Sequence, residues 1–346
     1  MTRHRPRHRR RLRPPLLLCS AAALALTGCG PDLDEPWSGP YVNTTAYPYF
    51  DFGAEAAGQS HTVLGFVVAD PEESCTPSWG GYYGLDEAET TLRMEEQIAA
   101  LREGGGDVVV SFGGAAGSEL ATACSDADAL FEAYRTVLDR YEVSVVDFDI
   151  EYDDLEDRDA NRRRAEVLER LQEERDEPLG TWVTLPVAPH GLDQDSVEVV
   201  SQLLAAGVDL AGVNLMTMNY SESKPDGQSM VAASEEAARS AHGQLTALWD
   251  AAGQDLSEEQ VWNRIGLTPM IGVNDVAGEV VDPAAAGELN DFARDQGLGR
   301  LSFWSLNRDR PCIAEHGDPA EANDFCSGLE EEPGEFTRVL SRGFED

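Results

Sequence analysis

Basic residues are scarce in this 346-residue chain: 26 Lys and Arg stand against 64 Asp and Glu, a formal net charge of −38. Lysine is almost missing, with Lys224 alone beside 25 arginines. Seven of those arginines precede residue 14, and the first 28 residues hold no acid; without that segment 19 basic residues face 64 acidic ones, or −45. A surface of that sign repels phosphate backbones and anionic headgroups, which argues against nucleic acid or acidic lipid as a partner. The lysine deficit itself reads as codon bias or salt adaptation and locates no site. Long apolar runs are missing too. LLLCSAAALALTG (16–28) is short for a bilayer span. The Gly-rich stretches 104–106 and 113–114 lack a GxGxxG spacing and a Walker lysine, so no nucleotide site is expected. No CxxC and no nearby His pair supports zinc, and neither a metal nor a cofactor is expected. What is present suffices for a core: 42% hydrophobic residues, with six Trp and eleven Phe, argue against disorder.

The N-terminus reads as a targeting segment. MTRHRPRHRRRLRPP is a basic n-region, 16–28 an apolar h-region, and Leu26-Thr27-Gly28-Cys29 matches the lipobox in which the Cys becomes the lipidated first residue. An ordinary secretory peptide cut near Gly28 is the alternative, and Arg9-Arg10-Arg11 leaves twin-arginine export open. Residues 29–40 read as a tether, leaving 41–346 as the folded domain, an exported protein held on the outer face of the cytoplasmic membrane or secreted. Four cysteines remain: Cys75, Cys124, Cys312 and Cys326. An even number in an exported chain favours two disulfides, with three connectivities open. The pairing Cys75–Cys124 and Cys312–Cys326 keeps each bridge between nearby loops.

Apolar runs alternate with helical patterns over the rest of the chain. Strands are expected at 46–52, 62–69, 107–112, 144–150, 181–187, 211–217, 265–271 and 300–305. Helices are expected near 88–103, 125–141, 158–175, 195–206, 229–252, 282–296 and 334–342. The one at 125–141 is the clearest, with a Ser125/Asp128 capping box and Leu130, Phe131, Tyr134, Val137, Leu138 and Tyr141 on one face. Eight β-α units with apolar strands fit an α/β fold, a single-domain (β/α)8 TIM barrel. A doubly wound open sheet is the runner-up.

The chemistry concentrates at the end of the fourth strand. Asp147, Asp149 and Glu151 alternate with Phe148 and Ile150, so on a strand the three carboxylates share one face. In a barrel that face is the interior, and the run ends at the C-terminal mouth where barrel active sites form. Three crowded acids do not all ionise cheaply, so at least one holds a proton near neutral pH and can serve as a general acid. A surface acidic stretch is the bland alternative, and it suits Asp153, Asp154, Glu156 and Asp157. A core strand carries acids at a cost, which favours function for 147–151. A magnesium or calcium cage is the weaker chemical rival.

Ser144-Val-Val-Asp147-Phe-Asp149-Ile-Glu151 resembles the DxxDxDxE signature of glycoside hydrolase family 18, the chitinases and related endo-β-N-acetylglucosaminidases. Ser111-Phe-Gly113-Gly114 resembles the family's SxGG motif, Met216-Thr-Met218-Asn219-Tyr220 its strand-six motif, and Phe303-Trp304-Ser305 its strand-eight segment. CTPSWGG (75–81), TPMIGVND (268–275) and FWSLNRD (303–309) are similar to secreted bacterial members, and the resemblance covers roughly 41–342.

The resemblance implies that Glu151 is the general acid/base. Asp149 orients and stabilises the substrate N-acetyl group, and Asp147 is its buried proton-sharing partner. Trp304 is the hydrophobic floor under the sugar at the cleavage point. Met216, Asn219 and Tyr220 belong to the strand-six segment of the site. Trp79 and Tyr82 are candidate stacking residues for more distant sugars, and Tyr49 lines the pocket or fills the barrel. Two positions depart from the pattern. Ser144 replaces the first Asp, deep in the barrel, where a hydroxyl can support Asp147; Asn219 replaces an Asp and carries no charge. The expected function is retaining, substrate-assisted cleavage of chitin or chitooligosaccharides by a monomer that touches the membrane only through its lipid. An endo-β-N-acetylglucosaminidase acting on N-glycans and a non-catalytic glycan-binding barrel are the alternatives; the intact acid triplet speaks against the last.

Overall fold

The structure, a computed structural model, describes residues 35–56, 58–316 and 318–344. The targeting segment and Cys29 lie outside them. Seven strands follow the expected runs: β2 His61–Ala69, β3 Asp107–Gly113, β4 Val145–Asp149, β5 Gly180–Pro186, β6 Leu210–Met216, β7 Ile265–Thr268 and β8 Arg300–Leu301. They pair in sequence order and in parallel.

The first strand is not where the sequence suggested. β1 runs in two pieces, Trp37–Ser38 and Tyr41–Asn43, so residues 37–40 are barrel wall rather than tether. Trp37 pairs with Arg300 of β8, and Tyr41 pairs with Val63 of β2. The segment stays bonded on both edges: Tyr41 N donates to Phe303 O at 3.0 Å, and Val63 N donates to Pro40 O at 2.8 Å. The sheet therefore closes into a (β/α)8 barrel. Pro40 is tolerated because its carbonyl is used there and no N–H is needed from it. The expected strand at 46–52 instead forms a loop with a cis Tyr47-Pro48 bond, and the Asp51 side chain caps the short helix Phe52–Glu55.

Strand alternation builds two cores. Val145 packs inside the barrel with Trp37, Tyr41, Val63, Val109 and Trp182, while Val146, Phe148 and Ile150 face the helices. Phe148 stacks on Phe112 at 5.2 Å and meets the edge of Tyr134 from the helix Ala127–Arg140. Burying one such ring contributes roughly 1.5–3 kcal/mol. That helix is capped by Asp126, whose side chain accepts from the N–H groups of Asp128 and Ala129, so the Ser125/Asp128 capping box does not form. Asp126 sits one residue nearer the first turn and reaches both orphan donors.

Both expected disulfides are formed, Cys75–Cys124 and Cys312–Cys326. The first ties the loop after β2 to the loop after β3; the second closes the loop after β8. Each braces the C-terminal mouth of the barrel.

Candidate active site

The three inward acids of β4 and its end meet three different environments. Asp147, lowest in the barrel, is 0% exposed. Its Oδ1 accepts from Arg300 Nη1 at 2.7 Å and Thr184 Oγ1 at 2.7 Å, and its Oδ2 from Ser111 Oγ at 2.6 Å and Tyr41 OH at 2.9 Å. Asp149 is buried and its Oδ1 has no hydrogen-bond partner. Burial first, then the charges of Glu151 and Asp147, push its carboxyl well above the usual range, with Arg300 opposing. Glu151, at the mouth, is pushed up to about 7 by burial and by the charge of Asp154. The Asp149–Glu151 pair thus retains a proton near neutral pH, where Glu151 can both give and take one.

The SFGG run fits this ladder by shape. Ser111 is the donor to Asp147. Gly113, at φ +94°, lies so close to β4 that a Cβ would stand 2.1 Å from the Asp149 carbonyl oxygen. Gly114, at φ +85°, leaves room for the Phe66 ring, 2.8 Å from where its Cβ would be. Any side chain at either position would push the loop off the acid ladder.

A cleft of about 370 Å³ opens above these acids, among others between Tyr41, Phe66, Met216, Met218, Met270 and Trp304. β7 and β8 end at Thr268 and Leu301, and the chain beyond them stays joined by backbone hydrogen bonds and a bridge between Met270 and Trp304. This lays the Trp304 indole across the cleft, stacked on Phe66 at 5.6 Å and 6.2 Å from Tyr41. The rim is polar, with Tyr152, Asp275, Arg308, Asn323 and Asp324 among its residues. The last two come from the Cys312–Cys326 loop. Arg308 holds that loop in place, donating to the carbonyls of Ile271, Val273 and Asn323; burial lowers it to about 10. A hollow of about 400 Å³ at the opposite end of the barrel, bordered by Gln172, Asp209 and Arg264, lacks the strand-end acids.

Of the residues the sequence proposed, Asp149, Glu151, Met216, Asn219 and Trp304 line one cleft, with Asp147 beneath it. Asn219, at φ +52°, clamps the loop after β7: its Nδ2 donates to Asp275 Oδ2 at 2.8 Å and its Oδ1 accepts from Asp275 N at 3.0 Å. An Asp at 219 would set a second carboxylate against Asp275, so the amide is the complementary choice.

Other placements differ from expectation. Trp79 is fully buried, donating from its indole N–H to Tyr141 OH at 3.0 Å, because its hairpin strand Pro77–Trp79 pairs with β2 and turns the ring into the helix layer. Tyr82 beside it is exposed. Tyr220 is buried away from the cleft, with its OH on Ser234 Oγ, because the chain turns at Asn219 and Glu279 takes the next two N–H groups. Tyr49 stands in the loop after β1, its OH bonded to Tyr83 OH, and neither lines the cleft nor fills the barrel. Ser144 precedes β4 and its parity points it away from Asp147; Arg300 occupies the supporting role instead. Asp147 accepts two hydrogen bonds at each oxygen, which ties it to the strands that carry Arg300, Thr184, Ser111 and Tyr41. Asp154 and Asp157 are not plain surface acids: Asp154 accepts from Glu119 N at 2.9 Å, and Asp157 caps the helix Arg158–Glu174.

Tyr41, Phe66, Asp275 and Arg300 were not anticipated. Arg300 carried a signal: a cation opening an apolar core strand needs a buried anion, and the acid ladder was the available one.

No family model matches the chain. It is 35% identical over 283 residues to the probable bifunctional chitinase/lysozyme of Escherichia coli (strain K12), covering 79% of this chain and 31% of that protein. It is 34% identical over 284 residues to Endochitinase 11 of Metarhizium anisopliae, covering 79% and 52%. The chain thus spans about a third and about half the length of these curated relatives. Among solved structures, active domain 2 of the thermostable chitinase from Pyrococcus furiosus, as catalytic site mutants complexed with chito-oligosaccharides, superposes with a TM-score of 0.75 at 28% identity, covering 88% of this chain and 93% of that one.

Proposed function

We propose that this chain, which resembles the chitinases of glycoside hydrolase family 18 in sequence and in fold, hydrolyses β-1,4-linked N-acetylglucosamine polymers with retention, assisted by the substrate's own acetamido group. The observation that carries the reading is the side-by-side placement of a buried, proton-retaining Asp149–Glu151 pair under an apolar floor. Two-carboxylate retaining enzymes need a second acid about 5–5.5 Å from the first, across the sugar, as nucleophile. Here both acids lie along one strand end, and the third is tied to Arg300, so none of the three stands across the sugar from the others as a nucleophile. A 2-acetamido oxygen can take that place. It bonds to the anomeric carbon as the glycosidic bond breaks and the Glu151 proton passes to the leaving oxygen. Asp149, with an oxygen free, faces the positive nitrogen of the oxazolinium ion. Glu151, now a carboxylate, then takes a proton from the water that attacks the anomeric carbon and reopens the ring.

We assign the floor to Trp304, with Tyr41 and Phe66 beneath the N-acetyl side. Residues 1–28 are proposed to direct export and Cys29 to carry the lipid that holds a monomeric enzyme at the outer face of the membrane.

The test is an assay of the purified protein on chitin oligosaccharides, on fully deacetylated chitosan and on a high-mannose glycoprotein. Cleavage of the first with first-formed product in the β-configuration is expected. Efficient cleavage of chitosan, or product of inverted configuration, would overturn the mechanism; release of the N-glycan alone would reassign the substrate.

A further inference from the structure

Among the described residues two ion pairs are buried on both sides, Arg300–Asp147 inside the barrel and Arg164–Glu119 in the helix layer. Neither residue of the second lines the cleft. Glu119, in the loop after β3, is fully buried. Its Oε2 accepts from Arg164 Nε at 3.1 Å, Arg164 Nη2 at 2.6 Å and Ala121 N at 2.7 Å, and its Oε1 accepts from Tyr134 OH. Replacing a buried ion pair by apolar residues of similar volume is often neutral or stabilising, so the pair calls for a geometric reason.

That reason lies in where the pair leads. Glu119 N donates to Asp154 Oδ2 at 2.9 Å. Arg164 Nη1 donates to Asn161 Oδ1, and Asn161 Nδ2 donates to Leu155 O at 2.9 Å. Both arms grip the helix Tyr152–Glu156, whose N-cap is Glu151. Glu151 stands past the end of β4, and its carbonyl accepts from Asp154 N at 3.1 Å and Leu155 N at 3.3 Å. The two residues that hold the Glu151 carbonyl are therefore the two that the buried pair holds. Between strand and helix, Tyr152 takes φ +49°, a left-handed conformation that a bulky residue keeps only where its surroundings fix it. The Tyr152 side chain is exposed, so the restraint comes from the chain on either side.

We propose that Glu119, Arg164 and Asn161 are positioning residues that fix the junction after β4 from behind and so set where Glu151 stands against the leaving oxygen. The inference deepens the proposed function and rests on Glu151 as its general acid. A general acid must come within about 2.6–3.2 Å of the oxygen it protonates, so a small rotation of the junction takes it out of the reaction. The floor would not follow that rotation, because Trp304, Tyr41 and Phe66 come from the far side of the barrel, on or just beyond β8, β1 and β2. Asp149 is held separately, by its pairing in the sheet and by Gly114 N on its carbonyl at 2.9 Å.

The first test needs no activity. Asn161→Leu cuts the arm to Leu155 and leaves the ion pair whole; Glu119→Gln combined with Arg164→Met removes both charges and strands neither. Amide hydrogen exchange read by mass spectrometry should show protection of residues 150–157 falling about tenfold or more in each, while β6 and β7 keep theirs. Unchanged protection of 150–157 in the folded variants overturns the proposal. The second test compares an N-acetylated chitin oligomer with a 4-nitrophenyl glycoside, whose leaving group departs without a proton. On the oligomer kcat/KM should fall about tenfold or more, part of the roughly 10²–10⁴-fold that a placed general acid supplies, and on the nitrophenyl glycoside less than about threefold. KM for the oligomer should stay within about twofold of wild type. Equal losses on the two substrates would mark a merely structural role and overturn the proposal. Should one variant fail to fold, the other decides. A wild type that cleaves neither substrate would sink the functional reading alone, and the exchange test would still judge the brace.

Discussion

Replacing Asp154 with Asn tests whether Glu151 owes part of its acid character to a neighbour that never meets substrate. Glu151 is raised to about 7, first by burial and second by Asp154. Asp154 sits three residues on, in the short helix Tyr152–Glu156, with Oδ2 accepting from Glu119 N at 2.9 Å. An Asn side chain keeps that acceptor and removes the charge. Residues three apart on a helical turn lie about 5–6 Å apart. At an effective dielectric between about 40 and 80 the coupling is roughly 0.7–1.4 kcal/mol, or about half to one pH unit. The sign is fixed: losing a negative neighbour makes ionisation of Glu151 easier, so the alkaline limb of kcat/KM should move down by that amount. Activity at pH 8 should fall about three- to tenfold while the acidic limb stays in place. The assay is a pH series on a soluble chitin oligomer, with thermal melting to confirm an intact fold. An alkaline limb that stays put, or moves up, in a folded Asp154→Asn protein would refute the reasoning.

Glu151→Gln should abolish nearly all turnover yet retain oligosaccharide binding by calorimetry. It should also stabilise the fold above pH 7 by on the order of 2–3 kcal/mol, because the native carboxyl, raised above its ordinary value, makes ionisation costly there and Gln never ionises; below about pH 4 the gain should vanish in urea titrations. Opening Cys312–Cys326 by Cys→Ser pairs should cost about 3 kcal/mol by loop entropy and, by loosening the wall that carries Asn323 and Asp324, raise KM more than it lowers kcat. Cys29→Ser should move the protein from the membrane fraction to the medium; equal solubility of mutant and wild type would remove the lipid anchor.

The sequence by itself determined what rests on local periodicity. Alternation along 145–151 put three acids on one face and Phe148 and Ile150 on the other, and seven strands and the helices between them followed from apolar runs of the right length. The SFGG glycines were legible as a motif, although only the approach of Gly113 to Asp149 shows why no Cβ is allowed. What stayed hidden depends on which strands meet around the barrel. β1 is split by Gly39-Pro40 and reads as a linker, while AYPYFDF reads as a strand; only bonding to β2 and β8 on opposite edges identifies the true one. The burial of Trp79 and Tyr220 turns on a hairpin and a tight turn that pattern does not encode. Asp147 was visible as an acid, but its partners Tyr41 and Arg300 lie 106 and 153 residues away along the chain. Closure of the barrel brings them together, and an ion pair over that sequence distance has no local signature. Local chemistry identifies the acids; tertiary closure decides what each of them meets.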